Sequence, residues 1–154
     1  MRSSLILGPA TPLSNGCKKG AFPSFLQFID SRLRSSTKTD YFVNEFRSVV
    51  YIEDVIRAIK HFLYHALTND KADLSKTRVF NLGGSTRASR IDIALEVASV
   101  LKLDASNANG VNRPVDGGGV PSPPDISMNV DKITNELAVS KMMGLNDIVE
   151  GTFK

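Results

Sequence analysis

Arginine is well suited to hold a phosphate, because its planar guanidinium offers two parallel N–H donors and stays charged at any physiological pH. Two arginines of this chain stand where such a contact is feasible. Arg47 lies in EFRSVVYIEDVIRAI, residues 45–59, ahead of a strand-like run that turns into a helix. That position predicts an exposed sheet edge or loop rim. Arg113 precedes a proline in the loop-like stretch before PPDISMNVDK. The alternative for Arg47 is a surface ion pair with Glu45 or Glu53, and for Arg113 a solvated loop charge.

Other side chains carry weaker signals. Asp125 and Asp131 suit either general acid–base work or capping, and capping is the commoner use of such positions. His61 and His65 are four apart on one helix face, a metal-ligand spacing, but no Glu or Cys completes a site, so both are read as structural or exposed. Gly83-Gly84 followed by Ser85 and Thr86 could cradle an anion, although the pair lacks the full glycine fingerprint of a dinucleotide site. Nothing resembles a G-x-S-x-G nucleophile elbow. The residues thus assign no catalytic, cofactor-binding or metal-binding side chain, and two for substrate, Arg47 and Arg113.

The elements that position these residues can be read from periodicity. Residues 3–7 form a short buried strand closed by Gly8-Pro9, followed by a Pro- and Gly-rich loop. Phe22, Phe25, Leu26, Ile29 and Leu33 fall at helical spacing and predict a helix over 23–35, with Pro23 in its first turn. Residues 48–52 are β-branched and aromatic and predict a strand. Glu53-Asp54 open a helix through 68, favoured there by the helix dipole, with Val55, Ile56, Ile59, Leu63, Ala66 and Leu67 as its apolar stripe. Residues 78–84 predict a strand ended by two glycines. SRID, 89–92, has the form of a capping box for a helix to about residue 102. Residues 104–125, with DGGGVPSPP, predict a flexible loop. A last helix is predicted from Asp131 to Met143, with Gly144 as its stop. The order is an α/β pattern with three or four short strands, which predicts a small parallel sheet.

Composition narrows the function classes. The chain has 154 residues, one domain's worth, with 42% hydrophobic and 23% charged residues. The net charge is +3, with basic residues scattered rather than striped, which argues against nucleic-acid binding. The single cysteine, Cys17, precludes an internal disulfide framework and fits a reducing compartment. No apolar run approaches a membrane span and the N-terminus does not form a secretory signal, so the expectation is a cytoplasmic protein with no membrane or nucleic-acid partner.

Four segments, RSSLILGP, FRSVVYIEDVIRAI, VFNLGGSTRASRIDIALEVASVL and PPDISMNVDKITNELAVSKMMGL, together resemble the C-terminal half of extended short-chain dehydrogenases/reductases. The likeness is greatest to the dTDP-4-dehydrorhamnose reductase-like group, which includes the regulatory beta subunit of methionine adenosyltransferase. It covers roughly residues 1–150. The resemblance implies a Rossmann-type α/β fold with about four helices, of which residues 1–154 form the substrate-binding portion and the N-terminal nucleotide-binding half is absent. It implies a nucleotide-sugar ligand whose diphosphate meets Arg47 and, less securely aligned across DGGGVPSPP, Arg113. Arg2 matches an arginine of structural role. Leu5 and Leu7 depart from the larger or polar residues of many members, so no substrate contact is carried over to that strand.

The resemblance also implies NAD(P) as the cofactor of the full-length family. This chain has neither G-x-x-G-x-x-G nor Y-x-x-x-K, since Tyr41, Tyr51 and Tyr64 are followed four residues later by Glu45, Val55 and Thr68. The expectation is therefore a truncated, substrate-binding fragment of an NAD(P)-dependent sugar-nucleotide reductase, without a cofactor site and inactive alone. The alternative is a non-catalytic regulatory module like the methionine adenosyltransferase beta subunit. Either would associate with itself or with a partner subunit.

Overall fold

The run FRSVVY ends in three consecutive apolar residues rather than an alternation, which is the pattern of a strand covered on both faces. In the computed structural model, which describes residues 1–9, 24–35, 37–68, 79–114, 123–139 and 141–154, this run is the central strand β4, Phe46–Tyr51. Successive side chains of a strand point to opposite faces. Val49 accordingly belongs to one apolar core and Val50 to another.

The first core collects Leu26, Ile29 and Leu33 of α1 (Phe25–Arg34), Ile93, Ala94 and Val97 of α3 (Arg90–Leu101), and Ile148 and Val149 of α5 (Leu145–Phe153). The second packs Ala58 of α2 (Ile52–Thr68) and Ile133 of α4 (Asp131–Glu136) with Phe80, Leu82 and Met142. The helices therefore cover β4 from both sides.

Both edges of β4 are also taken. On one edge it pairs antiparallel with β6 (Thr86–Ser89), Phe46 opposite Ser89 and Val49 opposite Thr86. On the other, β2 (Leu5–Leu7) runs parallel along Val49–Tyr51, and β8 (Asp125–Ile126) runs parallel along Phe46–Arg47. Two further two-stranded parallel sheets complete the described residues: β1 (Arg2–Ser3) with β5 (Asn81–Leu82), and β3 (Thr39–Phe42) with β7 (Ala108–Val111).

The α/β class expected from the pattern is observed, with five helices among the described residues rather than about four. Helix α3 starts on the expected capping box: Ser89 Oγ accepts from the Asp92 N–H at 3.2 Å, and Asp92 Oδ2 accepts from the Ser89 N–H at 2.8 Å. Such a cap contributes about 1 kcal/mol. The expected strand pairing was wholly parallel, but β4 and β6 run antiparallel, because the Gly83–Gly84 turn sends the chain back along β4.

Several boundaries differ. The segment 104–125, expected to be a flexible loop, contains β7, whose partner β3 lies far upstream in sequence; residues 115–122 are outside the described set. Helix α4 ends at Glu136, not Met143, with Ala138 in the left-handed region at φ 52°. Gly144 does not stop that helix. It precedes α5, its N–H donating to Asp147 Oδ2 at 3.2 Å. Most of the stripe predicted on α2 faces out: Ile56, Ile59, Leu63 and Leu67 are exposed, while Val55, the one member of that stripe on the second core, packs there with Ala58 and Phe62. Pro23, Phe22 and Cys17 fall outside the described residues.

Gly84 sits where β4 and the α4–α5 link converge, and a Cβ there would overlap the Val49 carbonyl oxygen. A backbone atom in the middle of a paired strand cannot rotate away. Gly84→Ala is expected to cost about 3 kcal/mol, the upper end of overpacking, read as a lowered midpoint in urea. An unchanged midpoint would contradict this packing.

Candidate functional site

Arg47 is the second residue of β4, not a residue ahead of it, and shares its face with Val49 and Tyr51. With both strand edges paired, its side chain is only 15% exposed. It does meet Glu45, Nη2 to Oε1 at 3.2 Å, but the pair is not at the surface as weighed from the sequence, because Glu45 is 2% exposed. Arg47 Nη1 also donates to the Phe46 carbonyl at 2.6 Å and the Pro123 carbonyl at 3.2 Å.

Arg113 follows β7, which the β3 pairing carries alongside residues 39–42. Its N–H donates to Asn44 Oδ1 at 2.8 Å, and its guanidinium Nη1 donates to Glu45 Oε1, the same oxygen that Arg47 meets. Two donors on one oxygen lie within roughly 6 Å of each other. The two arginines singled out in the sequence are thus neighbours in space. A third, Arg90 at the start of α3, places Nε 3.1 Å from Glu45 Oε2. The sequence reading absorbed Arg90 into the capping box and met Glu45 only as a possible surface partner. No local spacing signals either role, since both depend on contacts across 45 and 68 residues.

Beside this cluster, Arg87 on β6 lies over the Phe46 ring, 3.4 Å from its centroid, and its Nε donates to Asp125 Oδ2 at 2.8 Å. Asp125 also accepts from the Ser127 N–H at 2.8 Å. These donors, Ser127 first and Arg87 after it, hold the Asp125 carboxyl down to about 2. Asp125 fastens β8 to the sheet and is not placed for acid catalysis. Asp131 accepts from Asn129 Nδ2 at 2.9 Å in the first turn of α4.

The other candidates also meet partners within the fold. His61 Nε2 is 3.8 Å from Glu136 Oε1 and its ring stands 4.4 Å from that of His65; no group of three metal-ligating side chains occurs among the described residues. Ser85 Oγ donates to the Met142 carbonyl at 2.9 Å and Thr86 Oγ1 accepts from the Leu145 N–H at 3.1 Å, so the turn after Gly83-Gly84 is filled by the α4–α5 link. It does not fit a dinucleotide phosphate. Asp54, expected as a helix-dipole partner at the start of α2, is wholly buried, pairs with Arg57 and accepts from the Met143 N–H at 2.9 Å.

No family description matches the sequence, and no curated protein does. Solved structures do. UDP-glucuronic acid 4-epimerase from Bacillus cereus, in complex with UDP-glucuronic acid and NAD, superposes with a TM-score of 0.65 at 20% identity over 97% of this chain and 42% of that one. dTDP-4-dehydrorhamnose reductase from Bacillus anthracis, in complex with NADP, gives 0.69 at 14% identity over 99% and 46%. A Bordetella bronchiseptica enzyme in complex with NAD and UDP gives 0.64 at 17% identity over 98% and 41%. This chain has the fold of part of these proteins. It spans less than half the length of each. No helix among the described residues is long and apolar enough to cross a membrane.

Asp125 generates a prediction on acid stability. Its folded value lies below the ordinary 3.8, so its contribution is present above that value and is lost as pH falls through about 2. Melting temperatures of the parent and Asp125→Asn, compared from pH 5 to 2, are expected to differ most at pH 5 and to converge on acidification. A gap that does not change with pH would contradict the assignment.

Proposed function

We propose that this chain is a nucleotide-sugar-binding portion of an NAD(P)-dependent sugar-nucleotide reductase resembling dTDP-4-dehydrorhamnose reductase, with Arg47 and Arg113 holding the ligand's diphosphate. The observation that carries the reading is the convergence of both guanidinium groups on one oxygen of a buried carboxylate. Guanidinium groups held side by side match the adjacent charged oxygens of a diphosphate. The fold supports the same reading. Among the similar structures, one holds UDP-glucuronic acid and another holds UDP, each with NAD, and a third holds NADP. Which sugar is bound is set by groups around the diphosphate rather than by the arginines themselves. The chemistry of hydride transfer requires a nicotinamide and a proton donor, and neither is assigned to a residue of this chain. It is therefore expected to bind without turning over, in the cytoplasm, as an oligomer or beside a partner subunit.

Calorimetric titration of the chain with UDP-glucuronic acid tests the reading. Arg47→Ala is expected to weaken binding by about one to two decades, as loss of a charge-assisted hydrogen bond of about 1.5–3 kcal/mol requires. Arg47→Lys should recover only part of that, because an ammonium keeps the charge but not the fork. A dissociation constant within twofold of the parent in Arg47→Ala would make Arg47 a structural residue only.

A further inference from the structure

We infer that Glu45 is the positioning residue of this anion site and that Arg90 is its third cationic arm, so that Arg47, Arg90 and Arg113 act as one diphosphate-binding unit; the identity of the ligand as a nucleotide-sugar rests on the reading above. An ionised carboxylate out of water must be matched by cations and hydrogen bonds. Glu45 is matched by three guanidinium groups from three separate elements: β4, the first turn of α3, and the segment after β7. Arg47 and Arg113 meet Oε1 and Arg90 meets Oε2, so both carboxylate oxygens are engaged.

Exposure rises outward through the cluster. Glu45 is 2% exposed, and the side chains of Arg47, Arg113 and Arg90 are 15%, 35% and 42% exposed. The carboxylate is the floor and the guanidinium groups are the rim. Each arginine is braced a second time. Arg47 donates to two backbone carbonyls, Arg90 lies 5.2 Å from the Phe25 ring centroid, and Arg113 lies 5.8 Å from that of Phe42. Side chains held from two directions lose little further freedom when a ligand arrives, which is the condition for tight anion binding.

Three cationic arms around one carboxylate favour an anion with more than one charged group over a single phosphate. A guanidinium carries five N–H donors. Arg90 meets the carboxylate through Nε, which leaves both its terminal nitrogens for a ligand on the exposed side.

Calorimetric titration of the full chain with UDP-glucuronic acid, inorganic pyrophosphate and inorganic phosphate tests this, at a temperature well below each variant's melting point. The parent is expected to bind pyrophosphate at least tenfold more tightly than phosphate. Arg90→Gln should weaken pyrophosphate binding about tenfold, the usual worth of one charge-assisted contact, and phosphate binding far less. Arg90→Lys should restore part of the loss. Glu45→Gln raises the positive charge of the cluster, so simple attraction predicts tighter binding, whereas positioning predicts about a tenfold weakening. Should Glu45→Gln not fold, Glu45→Asp, which retracts the carboxylate by one methylene, should show the same weakening. Tighter binding by either Glu45 variant overturns the positioning role, because Glu45 would then be competing with the ligand. Arg90→Gln within twofold of the parent overturns the third arm, and so does a parent that does not bind pyrophosphate. Pyrophosphate binding with this dependence but no UDP-glucuronic acid binding supports the cluster while refuting the nucleotide-sugar reading. UDP-glucuronic acid binding that falls in Arg47→Ala but in neither the Arg90 nor the Glu45 variants does the reverse.

Discussion

A carboxylate that is almost entirely out of water keeps its charge only where cations surround it, and supplying them constrains the chain far from the carboxylate itself. Glu45 draws in side chains from β4, α3 and the end of β7. Removing Glu45 would take from three guanidinium groups the carboxylate they share; breaking a fully buried pair costs about 3–5 kcal/mol, and the cost here is lower because Arg90 and Arg113 are a third or more exposed. Replacing the whole cluster with apolar groups of similar volume would be less harmful to stability.

The strand that carries Arg47 is the other fixed point. β4 has helices on both faces and partners on both edges, and its side chains alternate between two separate apolar cores. A shift of one residue in its register would exchange Val49 with Val50 between those cores and turn Arg47 to the opposite face of the sheet. Core packing therefore fixes the direction of the arginine. The α4–α5 link adds to this, since Asp54, Ser85 and Thr86 all bond to residues 142–145 and close the sheet over Gly84. Rigid scaffolding of this sort holds a binding group within the tolerance that recognition needs.

Features governed by local spacing were readable in the sequence, and features governed by distant contacts were not. The VVY run, whose predicted strand ends one residue early at Tyr51, the Ser89–Asp92 capping box and the inward face of α1 are local patterns, and all three appear in the structure. The pairing of TDYF with ANGV is not local: Ala108–Val111 includes an Asn and a Gly and is strand only because β3 lies beside it. Gly144 looked like a stop because glycine commonly ends helices, but Asp147 makes it the entrance to α5. On α2 both candidate faces are apolar, and only the volume available beneath Ala58 and Phe62 decides which is buried. At the site, Arg47 and Arg113 stood out as arginines in telling positions. Glu45 and Arg90 did not, because a buried ion cluster has no sequence period.

The similar solved structures place this arrangement in the fold of proteins more than twice as long, and they contain dinucleotides and uridine nucleotides. Under the proposed function, the part that would meet such a ligand is the rim of guanidinium groups around Glu45. The most direct observation of that rim is magnetic resonance of the arginine Nε–H groups during titration with UDP. The signals of Arg47, Arg90 and Arg113 should move together on one saturation curve, while those of Arg57 and Arg87, which pair with Asp54 and Asp125, stay fixed. Signals of the three that stay still at saturating UDP, or that move no more than those of Arg57 and Arg87, would contradict the account.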